Sequence, residues 1–422
     1  MSSNEKRLPH PPIFRGFPRN LAVRLFAGED IRATEAQVES FRNFAHAGDP
    51  LADALVEEMR SLPAGEGRRL FERAVDDGIA AISDPPDALA AFFEHVESVP
   101  FWVDPAKLEL AARAMTRTGL LGVYGPLPDL ALIGGYLASR ADKVLVRAGD
   151  LDKKAPRRLA ETANWWVEVT SPGGLDRSAE GFKGIVRVRL THAHIRAVMR
   201  QDDDWNYEDW DSPVNQIHTV GTLILFSVPF TVGLRALGFR FSDKERAAIF
   251  HFWRYVGYLM GIDPELLPAD EADAWRITWL VATTEFLPDE DSRRLAQAML
   301  AATATTHGLS GDDPATRLAA WAVASLHGSY SRLALGNHSA DQLGIPNRPP
   351  FQAAIIALAA ANFALETARR SIPGATRLSV LTGDRTRRAA LRRLTRQTEA
   401  DLTYTREATP PASAAPAAGR DG

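Results

Sequence analysis

Between Thr34 and Asp401, apolar residues return at spacings of three and four along most of a 422-residue chain, and this rhythm restricts the fold more than any other feature. Such spacing gathers apolar side chains on one face of a helix, whereas a half-buried strand needs strict alternation, and alternating runs are scarce here. The expected fold class is mainly α. Helices are predicted over Thr34–Phe44, Pro50–Ser61, Ala88–Val96, Pro105–Thr118, Pro156–Thr170, Ala179–Gln201, Asp243–Met260 and Ala315–Leu335. Helix-stop chemistry separates them at Asp84-Pro85-Pro86, Ser171-Pro172-Gly173-Gly174 and Asn347-Arg348-Pro349-Pro350. None of these breaks is a long linker and no fixed period recurs, so one large helical domain is expected over residues 21–404. A proline-containing arm, 1–20, precedes it. A Pro-, Ala- and Gly-rich tail, 405–422, follows and is expected to be disordered, because it has no apolar face to bury.

Two stretches are apolar enough to raise the question of a membrane span. Ser212 to Leu234 runs 23 residues without formal charge, but Asn215, Gln216, His218 and Pro229 interrupt it, so a buried core helix is expected. Pro349 to Leu365 is shorter and is read the same way, which leaves peripheral contact as the one membrane role in view. Net charge is −4, giving no overall field to attract nucleic acid. Six arginines between Asp384 and Arg396 form a local basic patch, read as a solvated helix face. Met1 to Asn20 lacks a basic run followed by an apolar core, and a cytoplasmic location is expected.

Chemistry is narrowed first by cysteine, of which there is none: disulfides, iron–sulfur clusters, thiolate-ligated haem and cysteine nucleophiles are excluded. A metal must then be held by His, carboxylate, Tyr or Met. None of the ten histidines follows a Glu at three residues, and His-Glu-x-x-His, the P-loop, G-x-G-x-x-G and G-x-S-x-G are missing.

The informative helix is Ala179–Gln201. Its helical phase aligns Phe182, Ile185, Val188, His192, Ile195 and Met199, so His192 interrupts an apolar stripe, while His194 lies roughly 160° away at about 100° per residue. The two cannot share one ion. A lone histidine on such a face is commonly a core residue bonded to a backbone carbonyl. Arg189 and Arg196, one turn before and after His192, give a different context: two cations beside a neutral imidazole at an apolar surface suit a planar cofactor with carboxylate tails, which is haem b. In the preceding helix Arg158, Glu161, Thr162 and Trp165 share a face. That face is either an ordinary amphipathic surface with an Arg158–Glu161 pair or a polar wall of donors aimed at dioxygen.

Here the chain resembles the latex-clearing proteins, or rubber oxygenases, and the wider group that includes the fungal endoplasmic-reticulum-bound oxygenase of mycophenolic acid synthesis. The resemblance rests on Arg157-Arg158-Leu159-Ala160-Glu161-Thr162 and Val188-Arg189-Leu190-Thr191-His192-Ala193. Gly48-Asp49-Pro50-Leu51-Ala52-Asp53, Phe252-Trp253-Arg254-Tyr255-Val256-Gly257 and Arg332-Leu333-Ala334-Leu335-Gly336 extend it more weakly. It implies a globin-like helical core with extra flanking helices, haem b held without a covalent link, and His192 as the proximal iron ligand. It also implies distal positions for Arg158 and Thr162, and oxidative cleavage of an isoprenoid double bond into two carbonyl products. Two departures accompany it, one at a distal residue and one in the missing export signal, since polyisoprene is an insoluble extracellular polymer. Glu161 stands where the rubber enzymes carry a distal lysine, and is expected to pair with Arg158 or relay a proton. The family's carboxylate base falls by spacing on Asp142, where the local match is poor.

The expectation is thus a haem b-dependent oxygenase acting with dioxygen on a small apolar, unsaturated molecule. His192 ligates iron, Arg158, Glu161 and Thr162 serve the distal side, and Arg189 and Arg196 contact the propionates or support the ligand. The rival readings are a non-catalytic haem or apolar-ligand binder and a haem-free helical interaction protein.

Overall fold

Three of the helices begin with the same local device, an aspartate followed by proline. Asp49, Asp104 and Asp313 each accept a hydrogen bond from a first-turn backbone N–H, and the proline after each spends no donor. Thr34 with Gln37, Ser242 with Glu245 and Asp289 with Ser292 close reciprocal capping boxes at three further starts. The computed structural model describes residues 6–15, 19–147, 151–398 and 400, and among these there is no β-strand. The mainly α expectation holds. The tail expected over 405–422 lies outside the described residues.

Predicted boundaries fall close to the observed Pro50–Ser61, Asp87–Glu97, Glu180–Met199 and Asp243–Leu259 helices. Two helices run further than their stop chemistry suggested. Leu151–Val169 carries Pro156 inside it, and Pro314–Gln342 continues through a kink at Gly336, whose φ of 87° only glycine adopts at little cost.

Gln216–Ala236 is the central helix, packed against Glu271–Thr284, Asp243–Leu259 and a π-helical turn, Leu127–Leu132. It is buried over 72% of its most apolar window, as the polar interruptions predicted. Trp253 stacks on Phe226 beside it, with ring centroids 5.5 Å apart and planes at 19°, and Trp166 and Trp279 are fully enclosed. The described part of the N-terminal arm joins the same core: Leu8 N donates to Ala33 O, and Phe14 meets Trp275 edge-on.

Pro349–Ser371 departs from expectation. It is a helix, but it lies on the surface, with only 6% of its most apolar window buried. By length and composition it and Gln216–Ala236 are each apolar enough to cross a membrane. Hydropathy reports how apolar a segment is and not what covers it, so two similar stretches received one reading and have opposite surroundings.

Candidate functional site

Six segments meet around a cavity of about 340 Å³, a size suited to a small ligand or cofactor. Glu180–Met199 contributes His192 and Ile195, Leu151–Val169 contributes Arg158 and Thr162, and Ser139–Arg147 contributes Asp142. Gln216–Ala236 adds His218, and Tyr136 and Glu285 complete the polar lining. The rest of the wall is apolar, including Leu145, Val214, Ile217 and Phe226.

His192 lies deep in the protein yet keeps accessible surface, because its ring opens on this cavity. No described group hydrogen-bonds to it. Burial, aided by the nearby Arg196 charge, lowers its pKa to about 4, so the imidazole is held in the neutral form that binds metals. The common fate of a lone histidine on an apolar face, a bond to a backbone carbonyl, is not what the structure has. His194, on the same helix, is not part of the cavity lining.

Arg158 reaches the Tyr136 hydroxyl, and its charge also acts on Asp142. The Asp142 carboxyl is enclosed, its Oδ2 has no hydrogen-bond partner, and burial holds its pKa well above the usual carboxylate range despite Arg158. A carboxyl group whose burial favours the protonated form, beside a guanidinium and a hydroxyl, can give or take a proton within the cavity. The spacing-based assignment of Asp142 therefore lands on the site although its local sequence is a poor match.

Three other predicted residues sit elsewhere. Glu161 does not line the cavity; it pairs with Arg157, one helical turn back, at 2.7 Å, rather than with Arg158. The side chains at 157 and 161 are four residues apart and stack on the outer face, while Arg158 is rotated into the interior. Arg189 is also away from the cavity wall. It is engaged in a bidentate pair with Asp49, at 2.6 and 2.9 Å, and its guanidinium lies 4.8 Å from the Phe92 ring centre. That partnership leaves it no role at a propionate. Arg196 donates to Asp53 and to Val214 O, with Nη2 buried and unpartnered, so it stands behind His192 rather than in the cavity.

His218 and Glu285 were not predicted. Sequence reading treated His218 only as a polar interruption of an apolar helix, and nothing marks Glu285. His218 Nδ1 is buried without a partner, and burial lowers its pKa to about 4. With Asp211 these two residues place possible ligand atoms within 4.8 Å of one another. However, Arg42 pairs with Asp211 and Glu285 at 2.8 and 2.9 Å, and Arg140 approaches the same carboxylates at 3.7 and 3.9 Å. Two guanidinium groups already balance two carboxylates, so a dication there would find no net attraction to offset its desolvation. The cluster is a structural tie.

A second cavity, about 170 Å³ and almost wholly apolar, adjoins the first. The two share Gly221, Leu225, Val281 and Phe286 as walls.

Comparison with known proteins places the chain in a family. Residues 121–370 match the family described as ER-bound oxygenase mpaB/B'/Rubber oxygenase, catalytic domain. The rubber oxygenase of Streptomyces sp. (strain K30) is 26% identical over 275 residues, which are 63% of this chain and 62% of that protein. The match thus spans less than two thirds of that relative's length. The structure of latex clearing protein LCP in the closed state superposes with a TM-score of 0.58 at 21% identity, covering 81% of this chain and 88% of that one, a likeness of fold. The matched stretch includes His192, Arg158, Thr162, Asp142 and His218 and more than half of the residues present, and the chain belongs to the mpaB/rubber oxygenase catalytic-domain family.

Proposed function

We propose that the protein is a haem b-dependent oxygenase that uses dioxygen to cleave a carbon–carbon double bond of a small apolar substrate. The observation that carries this reading is His192: a neutral, unpartnered imidazole opening on a cavity that Arg158, Thr162 and Asp142 also line. An imidazole with no protein partner, held neutral and facing a ligand-sized space, would suit ligation of a haem iron. Haem, when bound, would supply the dioxygen chemistry at iron.

The chain's own residues would do the rest. Arg158 and Thr162 offer donors that stabilise negative charge developing on oxygen. Asp142, whose burial favours the protonated carboxyl, would exchange a proton in the cavity. The adjoining apolar cavity, walled by Ile224, Val228, Trp275 and Leu335, excludes water and accepts a hydrocarbon chain.

Reconstitution with haem b tests the reading. A Soret band, a haem b signature in the pyridine haemochrome assay, and oxygen uptake with isoprenoid alkenes that yields carbonyl products would support it. Haem binding without oxygen uptake would favour a binding protein, and no spectrum would favour a haem-free helical protein.

A further inference from the structure

Two helices of similar apolar character have opposite surroundings. Gln216–Ala236, with mean hydropathy 1.7, is the core of the fold, whereas Pro349–Ser371, at 1.4, has 6% of its apolar window buried. No charged side chain occurs in it before Glu366. Ile356, Phe363 and Leu365 are 60%, 53% and 68% exposed, and the apolar surface continues through Ile372, Leu378 and Leu381 into the next helix, Ala375–Thr398. Single exposed leucines are ordinary on protein surfaces; a contiguous set over two helices marks a face that something covers.

The helix is fastened to the body along one side. Asn362 Nδ2 donates to Leu237 O at 3.0 Å, and Glu366 accepts from Arg117 Nη1 at 2.8 Å and Arg240 N at 3.1 Å. Gly238, with φ of 89°, allows close approach, since a Cβ there would lie 2.1 Å from Ala359 O. To cross a bilayer the helix would have to leave these contacts and strip the buried Arg117–Glu366 pair, so it lies along a surface.

Charge selects the occupant. Residues 349–398 contain nine arginines against Glu366 and Asp384; Arg387 is fully buried and Arg369 and Arg388 pair with carboxylates, so the charge free to meet a partner lies on the others. Arg370 and Arg377, beside Ile372 and Leu378, are exposed and make no ion pair with any described residue. A second copy docked face to face would set one positive segment against another, whereas anionic headgroups would neutralise both arginines while the apolar side chains entered the acyl boundary. We infer that the face built by Pro349–Ser371 and the start of Ala375–Thr398 docks peripherally on an anionic lipid bilayer. This holds whatever the cavity binds.

Flotation of the full chain with vesicles provides the test. The protein should float with vesicles of phosphatidylcholine plus phosphatidylglycerol, far less with phosphatidylcholine alone, and added salt should release it. Arg370→Glu with Arg377→Glu should weaken partition by at least about fivefold per arginine. Ile356→Glu with Phe363→Glu should weaken it by about tenfold or more while the helical circular dichroism and melting stay at the parent's level, since both side chains are exposed. Failure to bind anionic vesicles, or equal binding by parent and variants, would overturn the inference. So would a concentration-dependent dimer that Ile356→Glu with Phe363→Glu dissolves, which would assign the face to a second copy. Association that survives alkaline carbonate would assign it to a spanning helix instead.

Discussion

Arg189 grips Asp49 through two hydrogen bonds, 2.6 Å from Nε to Oδ2 and 2.9 Å from Nη2 to Oδ1, and the same aspartate caps the Pro50–Ser61 helix. One carboxylate thus starts a helix and anchors the helix that carries His192. The guanidinium is 2% exposed, so removing it would leave a buried, uncompensated charge.

Arg189→Ala should therefore cost about 3–5 kcal/mol of stability, whereas Arg60→Ala, which breaks the exposed Arg60–Glu57 pair, should cost under about 1 kcal/mol. Urea unfolding of the two variants checks the contrast. Equal small losses would mean that Arg189 is not a structural tie.

The distal wall separates by geometry. Arg158→Ala and Thr162→Ala, both at the cavity, should retain haem and lower turnover by about two orders of magnitude, while Glu161→Gln, paired with Arg157 outside it, should stay within about threefold of the parent. Steady-state oxygen uptake at saturating substrate distinguishes them. A collapse in Glu161→Gln alone would place the proton network on the wrong side of the helix.

Asp142 sets a pH dependence. Because burial holds its carboxyl above the usual range, the ionised base forms only as pH rises past its raised pKa, and turnover should rise along that limb. Asp142→Asn should flatten the limb and lower turnover by about two orders of magnitude with haem still bound. An unchanged pH profile in this variant would remove Asp142 from the chemistry.

His218 contributes to acid stability in the haem-free protein, as His192 does. An unfolded imidazole takes its proton near pH 6.5, but the folded one resists it down to about 4. The stabilisation is complete above about pH 6.5 and is lost as pH falls through about 4, at about 1.4 kcal/mol per pH unit between them. His192 has the same lowered pKa and adds a like slope, so His218→Gln should roughly halve the steepness of that part of the stability curve, measured by urea unfolding across the range.

The periodicity exposed the helices because apolar faces are written locally, and His192 was legible because it breaks one such face. What remained hidden depends on long-range placement. Glu161 could pair with either arginine by spacing, and helix orientation chose Arg157. Arg189 looked free for a propionate because Asp49 lies 140 residues away. His218 and Glu285 come from different helical neighbourhoods and meet only when the bundle closes. The stretch Pro349 to Leu365 reads as core for the complementary reason, since its composition is that of a buried helix and only tertiary packing leaves it outside.

The central claim is that His192 is the haem ligand, and the absorption spectra of His192→Ala and His194→Ala after haem b reconstitution test it most directly. The account predicts that His192→Ala loses bound haem or shifts its Soret band strongly, and that His194→Ala keeps the parent spectrum, because of these two histidines it is His192 that opens on the cavity. Parent-like haem in His192→Ala, with loss in His194→Ala, would contradict it.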